Sequence, residues 1–260
     1  ALLGCQPSGI RRFTALAKAE PGCLFLTIGE PDFSTPEPIK EATKTALDQN
    51  LTHYPPGAGE LYLRERISRF EQEQNGVSYS PEEILVVDGA TEGLYLALRG
   101  ILNPGDEVIV PTPAFGLYEP LVALSCGVYV PMDTCADHFQ ITPQNLAQHI
   151  TAKSKAILLN SPNNPTGAVY NKEELAEIAK VCEEKGLYVI SDEIYEKLVY
   201  GGEKHVSIAA LSPYMKEHTV VVNGMSKSYS MTGWRIGYIA APSDIAKAVS
   251  SMQSHTTSNA

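Results

Sequence analysis

The sequence predicts an α/β protein built on a doubly wound, mostly parallel sheet, and three observations carry that expectation. Short apolar runs of strand length recur at residues 84–87, 107–110, 128–130, 155–159, 187–190 and 220–222. Most of the segments between them hold apolar residues at helical spacing, so strands alternate with helices, which is the pattern of parallel strands joined by crossovers. Several runs end in turn chemistry rich in Gly, Asn and Pro, such as Asp88-Gly89, Asn160-Ser161-Pro162 and Asn223-Gly224. In sheets of this kind ligands bind beyond the carboxyl ends of the strands, so those ends are where function is sought.

Composition sets the outer limits. With 260 residues, 43% of them apolar, the chain can bury the core of one large or two ordinary domains. A formal net charge of −10 argues against nucleic acid and against an anionic membrane surface as partners. No apolar run approaches bilayer length, so a soluble protein is expected. Cys5, Cys23, Cys126, Cys135 and Cys182 are odd in number and lack CxxC spacing, which favours reduced thiols and a cytoplasmic setting. The first residues show no basic segment followed by an apolar one, and the chain begins at Ala1 without an initiator Met.

Taken in order, the segment SGIRRF followed by LAKA reads as a turn entering a short amphipathic helix. Residues 23–28 are apolar enough for a strand, broken by Gly29-Glu30-Pro31-Asp32-Phe33. Thr35-Pro36, with Ile39, Thr43, Ala46 and Leu47 behind them, predicts a helix over 36–49. Proline and glycine keep 53–59 irregular. Gly57-x-Gly59 is not a dinucleotide fingerprint, because Tyr62 stands where a third glycine is needed and no strand precedes it. Leu63, Ile67 and Phe70 make the narrow apolar stripe of a surface helix.

The strand at 84–87 turns through Asp88-Gly89 into a helix bearing Leu94, Leu98, Ile101 and Leu102. Free amides of a first helical turn, aided by the helix dipole, make Gly89, Ala90 and Thr91 anion candidates, although any strand-to-helix turn has this form. After the strand at 107–110 comes a rigid loop, 111–115, ending in Phe115, either a core residue or an aromatic at a ligand site. Residues 135–140 read as an exposed connection and 143–150 as a helix. The strand at 155–159 ends in NSPNNPTG, and Asn171 with Glu174 forms a capping box for a helix carrying Leu175, Ile178 and Cys182. The strand at 187–190 delivers Ser191-Asp192-Glu193-Ile194-Tyr195. From the residues alone the two acids could be a metal pair or simply solvated, and with no His or Cys at ligand spacing a metal is disfavoured. Finally, the strand at 220–222 and an Asn223-Gly224 turn place Lys227 just past a strand end among small and apolar neighbours. Most lysines are solvated and inert. A desolvated one can shed its proton and attack a carbonyl, which points to Schiff-base chemistry.

The segment SKSYSMTGWRIGY, with NPTG and SDEIY upstream, resembles the class I/II aminotransferases of fold-type I, which depend on pyridoxal 5′-phosphate, and in particular their aspartate, aromatic and alanine branch. The resemblance covers essentially the whole chain. It implies that Lys227 forms the aldimine with the cofactor and then moves the substrate α-proton, and that Ser226, Arg235, Gly89, Ala90 and Thr91 hold the phosphate. It further implies that Phe115 stacks on the pyridine ring, that Asn164 and Tyr195 face its phenolic oxygen, and that Asp192 keeps its nitrogen protonated. Gly29 and Asn164 would line the substrate, and Tyr54 would reach the phosphate of a second subunit in a homodimer. No metal is implied. The expected reaction is ping-pong transfer of an amino group from an L-amino acid to a 2-oxo acid. Residues 1–33 would be an N-terminal arm and small-domain segment and 34–260 the large cofactor domain. The C-terminal small domain, with the arginine for the substrate carboxylate, is expected beyond residue 260, the chain stopping within a helix leading there. A β-lyase (carbon–sulfur lyase) on the same fold, or a non-enzymatic regulatory domain of aminotransferase type, are the alternatives. No basic patch or helix-turn-helix supports the regulator. An esterase-type serine is disfavoured, because Gly224-Met225-Ser226-Lys227-Ser228 lacks the closing glycine.

Overall fold

Side chains of the central strands alternate between two apolar layers, and this fixes the architecture. In a computed structural model that describes residues 9–259, the strands are β1 (Ile84–Val87), β2 (Glu107–Thr112), β3 (Val128–Asp133), β4 (Ser154–Asn160), β5 (Tyr188–Asp192), β6 (Thr219–Gly224) and β7 (Gly237–Ala240). They form one sheet in the order β1-β7-β6-β5-β4-β2-β3. Strands β2 to β6 pair in parallel, while β7 runs antiparallel to both β6 and β1. The helices are α1 (Gly9–Ala19), α2 (Glu37–Asp48), α3 (Leu61–Phe70), α4 (Ala90–Ile101), α5 (Tyr118–Leu124), α6 (Pro143–His149), α7 (Lys172–Lys185), α8 (Pro213–His218), α9 (Met225–Ser228) and α10 (Ser243–Ser254).

Val108, Val110, Leu158, Ile190 and Val222 point to one face of the sheet, where Leu94 and Leu98 of α4, Leu121 of α5 and Val249 of α10 cover them. Ile109, Ile157, Leu159 and Val189 point to the other, beneath Leu146 of α6, Leu175, Ile178 and Cys182 of α7, and Met215 of α8. Neighbouring residues of one strand thus serve opposite cores, so both faces are dry and the strands read as continuous apolar runs. A third cluster joins Ile84, Val86, Val221 and Ala240 to Ile67 of α3. The expected doubly wound, mostly parallel sheet is therefore present, and the capping box at Asn171 and Glu174 forms as expected.

Four expectations are corrected. Residues 23–28 form no strand; no neighbouring strand offers them an edge, and Leu24 and Leu26 are 86% and 92% exposed. Asn223 and Gly224 are not a turn but the last two residues of β6, paired with Tyr238 and Gly237 of β7. Pro111 and Thr112 likewise belong to β2 rather than to the loop after it, because β3 runs alongside as far as Asp133. Near the chain end α10 stops at Ser254, followed by a turn, rather than continuing towards Ala260. Helix α2 forms where its pattern predicts, yet it buries no residue. Cys5 and Ser8 lie outside the described residues, and Cys23, Cys126, Cys135 and Cys182 are free thiols.

Candidate active site

Register brings the motif residues together. Asn160, the last residue of β4, stands opposite Asp192, the last of β5, and Asp192 stands opposite Val222 of β6, five residues before Lys227. Asn160 Nδ2 donates to the Asp192 carbonyl at 2.9 Å and its Oδ1 accepts from the Asn164 amide at 2.7 Å. One amide thus ties the two motif loops together. Asn164 Nδ2 then donates to the Tyr195 hydroxyl at 3.3 Å. The Lys227 ammonium lies 5.7 Å from the centre of the Tyr195 ring and donates to the Gly29 carbonyl.

Asp192 is 4% exposed, and burial pushes its carboxyl up to about 6. The Tyr118 hydroxyl, donating to Oδ2 at 2.8 Å, and the Ile194 amide pull the other way. Tyr195 is also raised, first by burial and then by Asp192, with Asn164 opposing. Lys227 is half-buried, and that burial lowers its pKa, with Arg235 adding to the effect and Glu30 opposing it. An amine easier to deprotonate and an acid kept dry are the two groups that carbonyl chemistry on an electron-poor ring requires.

The anion candidates also converge. Gly89 caps α4 at φ 79 and ψ 162, a backbone shape open essentially to glycine alone. A Cβ there would lie 2.4 Å from Arg235 Nη2, so the guanidinium rests directly on the turn. Gly237 of β7 is as tightly placed: a Cβ on it would meet the Ala90 amide nitrogen at 2.7 Å. Arg235 itself adopts a left-handed backbone, φ 57 and ψ 48, and its Nη1 donates to the Thr232 carbonyl at 3.0 Å. None of the ion pairs among the described residues involves it. A strained, uncompensated guanidinium over the first-turn amides of a helix is a fitting cradle for a phosphate. Ser226 is buried at the start of α9, and Thr91 is half-buried in the first turn of α4.

Phe115 is part-buried against the core and meets Tyr118 edge to face, with ring centres 5.7 Å apart. A Cβ on Gly29 would meet nothing within 4 Å, so close packing does not explain that glycine. Tyr54 is fully exposed and is not brought to Lys227 within this chain. A cavity of about 420 Å³ opens beside the cluster, lined by Glu30, Phe33, Thr35, Lys40 and Trp234, but neither Lys227 nor Asp192 lines it.

Sequence reasoning missed Tyr118 and Asn160. Asn160 carried a signal, a polar residue closing an apolar strand. Tyr118 carried none, because its partner lies 74 residues away. It also missed a histidine: His205 Nε2 sits 3.0 Å from Glu193 Oε2, so the acid after Asp192 is neither solvated nor alone. Glu193, Glu196 and His205 place ligand-type atoms within 4.8 Å of one another, though every one of these side chains already has a protein partner.

The ends of this mostly parallel sheet thus carry a half-buried lysine, a dry carboxylate and a guanidinium over the first turn of a helix, an arrangement able to support carbonyl–amine chemistry. The comparisons agree: the chain belongs to the aminotransferase class I and II family, whose profile matches residues 21–260. It is 49% identical over 237 residues to an aspartate aminotransferase of Geobacillus stearothermophilus, an alignment covering 91% of this chain and 60% of that protein. To the aspartate aminotransferase of Bacillus subtilis it is 46% identical over 259 residues, covering 97% and 66%. The structure of Thermus thermophilus aspartate aminotransferase with maleate superposes with a TM-score of 0.93 at 41% identity, covering 99% of this chain and 68% of that one. The chain thus spans about 60 to 66% of the length of the curated relatives it matches.

Proposed function

We propose that this chain is the greater part of a pyridoxal phosphate-dependent aminotransferase that moves an amino group from an L-amino acid to a 2-oxo acid. The observation that carries the reading is the linkage of Lys227, Tyr195, Asn164 and, through Asn160, Asp192, together with the Arg235 guanidinium that rests on the Gly89 turn and acts on Lys227 electrostatically. Relatives named aspartate aminotransferases support a dicarboxylic or related amino acid as donor, and a role in amino-acid metabolism follows. They give no support to a lyase or to a regulatory domain.

The residues present fit the cofactor. Arg235, Ser226 and the amides of Ala90 and Thr91 would hold its phosphate, Phe115 its ring face, Asp192 its ring nitrogen, and Asn164 with Tyr195 its phenolic oxygen. When bound, pyridoxal phosphate supplies an electron sink for the bonding pair released at the substrate α-carbon. The chain does the rest. Asp192, kept dry against Tyr118, holds the proton on the ring nitrogen. Tyr195 and Asn164 donate to the phenolic oxygen. Lys227 Nζ, half-desolvated, takes the α-proton and returns it as general base and acid. Donor amino acid and acceptor oxo acid would be handled in turn at the same site, a ping-pong course.

Residues 34–260 would serve as the large domain and 1–33 as its arm. The full exposure of Tyr54 accords with a homodimer in which that ring serves the other subunit. Free cysteines accord with a cytoplasmic enzyme, and no described helix is long and apolar enough to cross a membrane. The test is to load the full-length protein with pyridoxal phosphate, reduce with borohydride and map the modified peptide. A label on Lys227 is expected. Label elsewhere, or none, would refute the reading.

A further inference from the structure

Directly behind Asp192 the chain buries a second carboxylate with no part in the chemistry above. Glu193 is 1% exposed. Asp192 is the last residue of β5 and Glu193 the first beyond it, and the two carboxylates take different partners. Asp192 turns to Tyr118, whereas Glu193 turns to the loop before α8. Both carboxylate oxygens of Glu193 are engaged: Oε1 takes the Ser191 hydroxyl at 2.8 Å and the Ser207 hydroxyl at 2.7 Å, and Oε2 takes His205 Nε2 at 3.0 Å. Its backbone is pinned as well, the amide donating to the Val222 carbonyl of β6 at 2.9 Å and the carbonyl accepting from the Glu196 amide at 2.9 Å. The turn that carries Asp192 and Tyr195 is therefore fastened by one residue to β5, to the 205–207 loop and to β6.

A buried carboxylate is costly unless its partners are complete, and stability alone would be served as well by an apolar side chain. We infer that Glu193, clamped by His205, Ser191 and Ser207, is a positioning residue that sets the separation and orientation of Asp192 and Tyr195. This rests on the function proposed above and adds to it a residue outside the cofactor's reach. The geometry explains why a carboxylate is needed: only two acceptor oxygens on one rigid plane can take three donors arriving from two segments at once. The groups facing the clamp are Glu196 and Glu71, both buried and bridged by Asn75, whose Nδ2 donates to Glu71 at 2.9 Å and to Glu196 at 3.1 Å. Tyr238 of β7 donates to Glu71 at 2.6 Å, and Lys197 lies 3.8 Å from Glu196. Burial lowers the His205 pKa, but these acids, Glu193 foremost, outweigh it and raise the imidazole overall, which favours donation from Nε2 to Glu193, while Nδ1 is buried without a partner.

The test uses Glu193→Gln in the full-length protein. The amide must present a donor to one partner, so one leg of the clamp fails while volume is kept. Displacing Tyr195 from the cofactor's phenolic oxygen shifts the pH midpoint of the visible cofactor band, a readout independent of turnover. Loss of orienting partners of this kind typically costs about 10- to 100-fold, and that loss is expected in the half-reaction with L-aspartate at unchanged cofactor affinity. Ser207→Ala keeps the carboxylate and should move the midpoint the same way but less, which covers the case of a Glu193 variant that fails to fold. Ile178→Val, a purely apolar loss in α7, should lower stability and leave the midpoint alone. A wild-type midpoint and half-reaction rate in both Glu193→Gln and Ser207→Ala would overturn the inference. The borohydride label on Lys227 in the parent protein separates this outcome from failure of the functional reading itself.

Discussion

Replacing Gly89 by Ala should damage two quantities that can be measured separately. At φ 79 and ψ 162 the backbone is in the region essentially confined to glycine, and a side chain there costs about 1–3 kcal/mol. For a chain of this size, about 2 kcal/mol of strain corresponds to a fall in Tm of roughly 4–8 °C. The second effect is local. The new methyl would sit 2.4 Å from Arg235 Nη2, so the guanidinium must retreat by about 1 Å to reach ordinary contact. That is enough to break a hydrogen bond to a bound phosphate. A lost charge-assisted bond of about 1.5–3 kcal/mol would weaken cofactor affinity roughly 10- to 100-fold. The assay is a cycle of Gly89→Ala, Arg235→Ala and the double variant, each followed by thermal unfolding without cofactor and by titration with pyridoxal phosphate. Strain persists without Arg235, so the fall in Tm should be the same in both backgrounds. The affinity losses should be markedly less than additive, because both substitutions remove one contact. Additive affinity losses, or wild-type affinity in Gly89→Ala, would refute the placement of Arg235 over the turn as the phosphate contact.

Two further outcomes concern the buried acids. Asp192→Asn should keep cofactor binding within a few-fold while slowing removal of the substrate α-proton by orders of magnitude, since the ring nitrogen loses its proton partner; stopped-flow half-reactions check it, and near-normal rates would rule the role out. Glu71, fully buried and pushed up to about 7 first by burial and then by Glu193, binds more protons folded than unfolded between its ordinary value of 4.5 and 7. Stability must therefore fall as pH rises through that window, by about 3 kcal/mol from this group, and Glu71→Gln should flatten the decline. Urea unfolding at pH 5 and pH 7.5 reads the difference, and an unchanged slope in the variant would contradict it.

Strand-end motifs are legible in the sequence because each is local: an apolar run followed by a polar turn announces itself within a short window. Lys227 is reached in this way, and so is the capping box at Asn171, whereas Asp192 and Asn164 take their roles from the resemblance of their motifs to a known family. Errors arise where the partner is distant or absent. Residues 23–28 have the composition of a strand, but composition cannot provide an edge to pair with. Asn223-Gly224 has the chemistry of a turn, yet β7, arriving antiparallel, overrides it with ladder pairing. The Tyr118–Asp192 bond spans 74 residues, and the His205–Glu193 pair spans 12 across an irregular loop. Such pairings are set by the order of strands in the sheet.

That order also explains why the site lies where it does. Strands β4, β5 and β6 are neighbours in parallel register, so their carboxyl ends are level, and the segments leaving them must share one space. A loop after β4 bearing Asn164, a turn after β5 bearing Tyr195 and a short helix after β6 bearing Lys227 are thus brought together without long-range instruction beyond the pairing itself. The antiparallel β7 contributes differently. It runs back from Arg235, so the guanidinium is set at the start of a strand facing the end of β1, which is where α4 begins. An anion held there is gripped by the amino end of a helix and by the residue two positions before a strand, and both are anchored in the same sheet. Such anchoring should make the cradle stiffer than the loops around it. Hydrogen exchange of the Gly93 amide, which donates to the Gly89 carbonyl, should then be slower than that of residues 198–204, whether or not cofactor is bound, and equal rates would show that the sheet does not hold the cradle rigid.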